Sequence, residues 1–289
     1  MSDFVRQNAV ATDFATSDSW VILSPIEQSI KRKIEAVGVP LKDWDINIYR
    51  GVLTGYNEAF IISTEKREEI LSKCQTPEER QRTDELIRPI LRGRDIKRYG
   101  YDWANLWLIN THNGIKGKLN RIHIEDYPAV KVHLDQYWDK ISIRADKGDT
   151  PYNLRNCAYL DDFNKPKAMW KIIGSNICFS FDFNSMYCNN AVNIITGDSD
   201  HLLQFVGLMN SKLFEWYLKI SNEAPIADER VQLYVTTLEK TLLKLDFPND
   251  FSNVIRNRIN GTATDTDVNN AVYQVYDLSD EEIGYIESI

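Results

Sequence analysis

Apolar residues recur at Ile26, Ile30, Ile34 and Val37, the spacing of one face of a helix. Gly38 and Pro40 follow and end it, so residues 1–40 read as a linker with a connecting helix. The pattern then changes. Ile46 and Ile48, and Ala59-Phe60-Ile61-Ile62, read as two short strands joined across Gly51-Val-Leu-Thr-Gly55. Thr76-Pro77-Glu78-Glu79 has a capping residue, a proline at the first helical position and a glutamate at the third, and predicts a helix start. Leu106 to Ile109 reads as a buried strand, 112–121 as a polar loop, and Ile124 to Trp138 as one helix with Val130, Leu134 and Tyr137 on a face. Three strands are predicted at 169–173, 177–183 and 191–195, with turns at Gly174-Ser175-Asn176 and Asn184-Ser185. After Asp198 the apolar run from Leu202 to Trp216 predicts one buried helix, and two more segments at about 266–276 and 280–287 close the chain. This order predicts an α+β fold: a mixed α/β domain at 41–250 with a β-rich core, flanked by the connecting helix and a helical segment at 251–289.

Composition sharpens the picture. With 43% apolar and 11% aromatic residues in 289, a sizeable core can be buried. No apolar run is long enough to cross a membrane, and the first 30 residues lack the pattern of a signal peptide. Cys74, Cys157, Cys178 and Cys188 show no C-x-x-C spacing and read as reduced thiols of a cytoplasmic protein. The net charge of −8 argues against a nucleic-acid partner until it is divided. Residues 1–30 carry −3, 31–261 carry +2 and 262–289 carry −7. The last block is expected to be a solvated acidic face that repels polyanions. Within the middle, Arg88 to Arg98 holds five bases against one acid, Asp95.

A search for chemistry returns negatives. Phosphate-binding glycine loops are absent. His112, His123, His133 and His201 form no metal-ligand spacing, and no cysteine has a partner at zinc spacing. No nucleophile elbow occurs. Catalytic and metal residues are therefore assigned to none. Three loops remain: Arg92, Arg94, Lys97 and Arg98; then Asn113, Lys116, Lys118, Asn120 and Arg121; then Arg144, Lys147, Tyr152, Arg155 and Asn156. Arginine, lysine and asparagine in loops suit contact with phosphates and base edges.

Several stretches together resemble a known family. Trp44-Asp-Ile-Asn-Ile-Tyr-Arg50-Gly51 through Ile62 is similar to the segment opening the specificity region of TaqI-like and type IIG restriction–modification enzymes. Leu91-Arg92-Gly93-Arg94-Asp95-Ile96-Lys97-Arg98-Tyr99 resembles a hallmark of that region. Lys165 to Trp170, Tyr187 to Asn190, Ile194 to Gly197, the Asn210-Ser211-Lys212-Leu213-Phe214 helix and the ending from Val272 to Ile283 follow in the family's order. The resemblance implies a target-recognition domain for double-stranded DNA. Adenine-N6 methyl transfer from S-adenosylmethionine, and any cleavage, would come from a methyltransferase or nuclease domain of the parent enzyme. The Asn-Pro-Pro-Tyr/Phe and glycine-rich motifs of that methyltransferase do not occur in this sequence, so no cofactor is expected on this chain and it is expected to be no enzyme by itself. On this reading Arg92, Arg94, Lys97 and Arg98 hold phosphates, and Lys116, Lys118, Arg121, Arg144, Lys147, Arg155 and Asn156 are base-edge candidates. The alternative is a non-catalytic interaction subunit docking its apolar 200–220 helix on a methyltransferase or nuclease partner.

Overall fold

The computed structural model describes residues 23–289 except 175, 177, 222–225, 228–229 and 249, with backbone alone for 226, 227, 230 and 231. The acidic excess of residues 1–22, the turn at Ser175, the strand residue Ile177 and most of the 223–229 acidic stretch lie outside the described residues. Among the described residues no helix is long and apolar enough to cross a membrane. The chain forms two compact units. A central unit takes residues 47–172 and 179–196; a terminal unit takes 1–46, 173–178 and 197–289.

The fold is α+β. The central unit carries eight principal strands: β1 (Ile46–Arg50), β2 (Ile61–Ser63), β3 (Ile87–Leu91), β4 (Leu106–Ile109), β5 (Lys167–Lys171), β6 (Phe179–Asp182), β7 (Tyr187–Cys188) and β8 (Val192–Gly197). One sheet has the order β1-β8-β5-β6 and the other β2-β4-β3-β7. β8 and β5 run antiparallel with Val192 opposite Lys171, and β3 pairs in parallel with β7, Ile90 opposite Tyr187. β5, β6 and β8 are buried along most of their length.

The two strands expected to meet across Gly51–Gly55 belong to different sheets. Packing at Gly51 explains it. A Cβ there would lie 2.0 Å from the Asn189 carbonyl oxygen, so only glycine lets the chain pass against the 188–192 segment. Gly51 N–H donates to Val192 O at 2.8 Å and Val52 N–H to Cys188 O at 2.7 Å. Ala59 and Phe60 then fall in a helical turn, Asn57–Phe60, which leaves Ile61 to start β2.

Helix Pro77–Leu86 starts where expected, with the Thr76 hydroxyl accepting from Glu79 N–H at 3.1 Å. The Glu79 carboxylate is buried and accepts from the backbone N–H groups of Gln75 at 2.8 Å and Ala129 at 3.1 Å. The helix expected from Ile124 to Trp138 is three pieces: a 3-10 turn Ile124–Asp126, an α-helix Pro128–Asp135 and a turn Trp138–Ile141. Pro128 is the cause, because it cannot continue a helix entering from Tyr127 and disfavours helical backbone there. Beneath β5 and β6, Lys167 and Asp182 form an ion pair at 2.5 Å with neither side chain exposed.

The terminal unit is mainly helical. Helix Pro25–Val37 opens with a capping box between Ser24 and Glu27 and buries Ile30 and Ile34 completely. The single helix expected after Asp198 is two, Ser199–Met209 and Lys212–Ile220. Ser211 divides them by accepting from Phe214 N–H and capping the second. They pack against Phe251–Ile259, Asp265–Val275 and Asp280–Ser288, with Gly207 admitting Ile255, whose Cδ1 would lie 2.3 Å from a Cβ. Leu202, Leu203, Phe205, Val206, Leu208 and Met209 are all buried.

The acidic block at 262–289 is not a solvated tail. Its helices bury Val268, Val272, Tyr273 and Ile286. Glu282 pairs with Lys33 at 2.7 Å, Glu287 with Lys212 at 2.6 Å and Asp265 with Arg258 at 2.6 Å. Three of its acids thus pair with bases of their own unit and two, Asp267 and Glu282, close capping boxes, while Asp267, Asp277, Asp280, Glu281 and Glu287 are exposed.

Candidate functional site

The basic segment after β3 builds scaffold first. Ile90, Leu91, Ile96 and Tyr99 are buried. Arg92 closes a fork on Asp95, its Nε donating to Oδ2 at 3.0 Å and an Nη to Oδ1 at 2.8 Å, while Arg92 N–H donates to Oδ2 at 2.8 Å. Hydrogen bonding to Asp95 raises the Arg92 pKa above its ordinary value. The ion pair of this motif is Arg92–Asp95 at 2.8 Å, and Arg94, the base next to Asp95 in sequence, is exposed instead. The phosphate role expected of Arg92 meets a guanidinium already engaged on its best face by a buried carboxylate. Arg94 and Lys97 are exposed, Lys97 lying 3.5 Å from Asp102. Gly93 touches Ala191, a Cβ there lying 3.2 Å from the alanine's own, which places the turn beside the 189–191 loop.

The second and third loops are stitched together. Leu154 N–H donates to Thr111 O at 2.8 Å. The Thr111 hydroxyl donates to Tyr152 O at 2.6 Å, and buried Asn153 donates from Nδ2 to Ile122 O at 2.9 Å. Arg144, expected at a base edge, is 7% exposed. Its guanidinium donates to the carbonyls of Pro151 at 2.5 Å, Asn153 at 2.6 Å and Asp146 at 3.2 Å and lies 4.4 Å from the Phe60 ring centre. Burial pulls its pKa down to about 10. Arg144 holds the 146–153 turn in place and has no edge left for a base.

The remaining candidates lie on the surface. Lys116 is exposed with no side-chain partner among the described residues. Lys118 pairs with Asp161 at 2.5 Å, Arg121 with Asp149 at 3.2 Å and Arg155 with Asp146 at 2.9 Å, Arg121 and Asp146 being half-buried and the others exposed. Lys147 donates to Ser142 O at 2.6 Å. Exposed pairs of this kind contribute about 0–1 kcal/mol each, so a polyanion can displace the carboxylates. Asn113 donates to Asp149 Oδ1 at 3.0 Å and to Asn156 Oδ1, and accepts from Asp149 N–H at 2.9 Å. That network positions Asn156, which is itself exposed.

Three cavities join these loops into one face of the central unit. The largest, about 770 Å³, is lined by Asn113, Lys116, Asn120, Arg121, His123, Asn156 and Cys157 among others. A second, about 360 Å³, takes Leu53 to Glu58, Asp146 and Asn190. A third, about 170 Å³, takes Arg50 to Leu53, Arg155, Asn156, Cys157 and Tyr159. Shared walls at Leu53, Asn156 and Cys157 make them neighbours. Arg50 and Asn190 were not among the sequence candidates. Their signal was present, a base immediately before Gly51 and an Asn pair before Ala191, but both segments entered only as part of the family resemblance.

The groups that could do chemistry are quiet. His112 is pushed below its ordinary pKa by burial and accepts from Gly114 N–H at 3.2 Å. Burial pushes the Cys157 thiol up to about 11 and the Cys188 thiol up to about 12, away from the reactive thiolate. Among the described residues no group of three His, Cys, Asp or Glu side chains could hold a metal ion. The face offers cations, amides and concave surface.

Residues 88–242 match the TaqI-like C-terminal specificity domain. No curated protein sequence matches the chain. In fold, the chain is similar to the type IIL restriction–modification enzyme MmeI, solved in complex with DNA, with a TM-score of 0.55 at 12% identity over 86% of this chain and 36% of that one. It is similar also to the type IIG restriction endonuclease BpuSI, with a TM-score of 0.58 at 12% identity over 92% of this chain and 32% of that one. The chain thus spans about a third of the length of each.

Proposed function

The chain belongs to the TaqI-like C-terminal specificity domain family, and from that premise we propose that its central unit recognises duplex DNA as the specificity part of a restriction–modification enzyme. The observation that carries the reading is the continuous loop face on which Arg50, Lys116, Arg121, Arg155 and Asn156 surround adjoining cavities. Buried acids sit away from that charge, pairing inside the fold as Asp95 and Asp182 do.

Two contact types divide the work. Exposed Arg94, Lys97, Lys116 and Lys118 and half-buried Arg121 exchange their weak surface partners for phosphates, which gives affinity without sequence information. Asn156, oriented by Asn113, presents its amide donors to an acceptor on a base edge. Arg98 is half-buried and Lys147 exposed; Arg92 and Arg144 support the loops from within. Adenine-N6 methyl transfer is supplied by another domain of the parent enzyme, which would bind S-adenosylmethionine; this chain's residues choose the site.

A salt titration on mixed-sequence duplex tests the reading. The affinity is expected to fall by about 0.9 log units per decade of salt for each phosphate neutralised, so these five cations give a slope of about −4.5. A flat response, or no binding in 50 mM salt, would overturn it.

A further inference from the structure

We propose that the cleft between Arg50 and Arg155 is a clamp for a single phosphodiester of the bound duplex. This rests on the DNA reading above and deepens it by assigning one contact. Arg50 ends β1 and Arg155 lies on the 144–158 loop, yet the two line the same 170 Å³ cavity with Gly51, Asn156, Cys157 and Tyr159.

Both arginines stand on fixed backbone. The chain after Arg50 is held by the Gly51 and Val52 hydrogen bonds to Val192 and Cys188, and the chain before Arg155 by the Leu154 bond to Thr111. One wall is equally rigid: Tyr159 stacks on Tyr49 with ring centres 4.2 Å apart and planes 7° from parallel. Arg50 and Tyr159 line the same cavity. Two preorganised guanidinium forks across a narrow cleft fit the two anionic oxygens of a phosphodiester, each able to accept more than one N–H. Lysines could not supply that planar geometry.

Asp146 completes the device. It holds Arg155 at 2.9 Å and lines the adjoining cavity, standing where a carboxylate oxygen mimics the phosphate on that arginine. DNA displaces Asp146 from Arg155 on binding.

The experiment is salt-dependent binding of the full chain to mixed-sequence duplex, comparing wild type with Arg50→Gln, Arg155→Gln, the double variant and Asp146→Asn. All three positions are polar and none is buried, so thermal melts should match wild type and confirm that each protein is folded. Because both arginines grip one phosphate, the double variant is expected to lose about 0.9 from the salt slope, and each single variant no more than that. Asp146→Asn is expected to tighten binding several-fold with base preference unchanged. A double variant that loses about 1.8 would show two separate phosphates and overturn the clamp. So would an unchanged slope in the double variant when the wild type binds DNA. Wild-type protein with no salt-dependent binding would instead sink the DNA reading and the clamp with it.

Discussion

Replacing Lys167 by methionine tests what holds the β5–β6 sheet together. The Lys167 ammonium is fully buried and donates to Asp182 Oδ2 at 2.5 Å, Phe163 O at 2.7 Å and Lys165 O at 3.4 Å. Asp182 in turn accepts from the Tyr101 hydroxyl, Asn184 N–H and Met186 N–H, each at 2.9 Å. Every donor and acceptor of the pair is thus used, which is the condition under which a buried ion pair is tolerated. Methionine keeps the stem's volume and deletes the charge. It leaves a carboxylate at zero exposure facing three neutral donors, and breaking a buried pair in this way costs about 3–5 kcal/mol. For a unit of this size each kcal/mol moves the Tm by about 2–4 °C, so calorimetry should show a fall of about 6–20 °C. The variant Lys167→Met with Asp182→Asn removes the stranded charge while keeping an acceptor oxygen, and should melt above Lys167→Met alone. A fall under 2 °C for the single variant would refute the reasoning. A double variant as unstable as the sum of the two singles would refute it as well, because the charge would then not be the cause.

Gly51→Ala should destabilise by about 1–3 kcal/mol, read as a lower urea midpoint, because the added methyl meets the fixed Asn189 carbonyl at 2.0 Å. Asp95→Ala and Arg94→Gln should separate scaffold from surface. The first strands the Arg92 fork and lowers the Tm, while the second leaves the Tm alone and reduces the salt slope of DNA binding. His133 donates from Nε2 to Ala59 O at 2.9 Å, its Nδ1 has no partner, and burial lowers its pKa below the ordinary 6.5. The unfolded chain then binds the proton first as pH falls, so stability is full above about pH 6.5 and declines below it. Urea midpoints of His133→Gln between pH 5 and 7 should show a shallower acid slope than wild type; an unchanged slope would mean that His133 does not titrate on unfolding.

Much of this protein was legible locally. The helix at Pro25–Val37 and the start at Thr76-Pro77 follow from spacing and capping chemistry, which act within one helical turn. The hallmark segment at 91–99 and its companions marked the family from order alone. Misreadings arose where a local signal competed with something distant or with its own neighbour. Pro128 and Ser211 divided segments whose apolar spacing looked continuous, and Ala59-Phe60 became helical because Gly51 had already sent the chain into contact with 188–192.

Charge shows the same division most plainly. The counts of −3, +2 and −7 are properties of the sequence, and so is the clustering of bases at 88–98. What each charge does depends on burial and partners that sequence spacing does not encode. Folding turned Arg92 inward onto Asp95, buried Arg144 under three carbonyls, matched the acidic terminal helices to Lys33, Lys212 and Arg258, and left Lys116 in the open. It also brought Arg50 opposite Arg155 across a hundred residues of chain. Type and number of charged groups were written in the sequence. Which of them remain free to meet a polyanion was decided by tertiary packing, because a guanidinium buried with good acceptors is held by its own fold, whereas an exposed one holds its partner by at most about 1 kcal/mol and can exchange it.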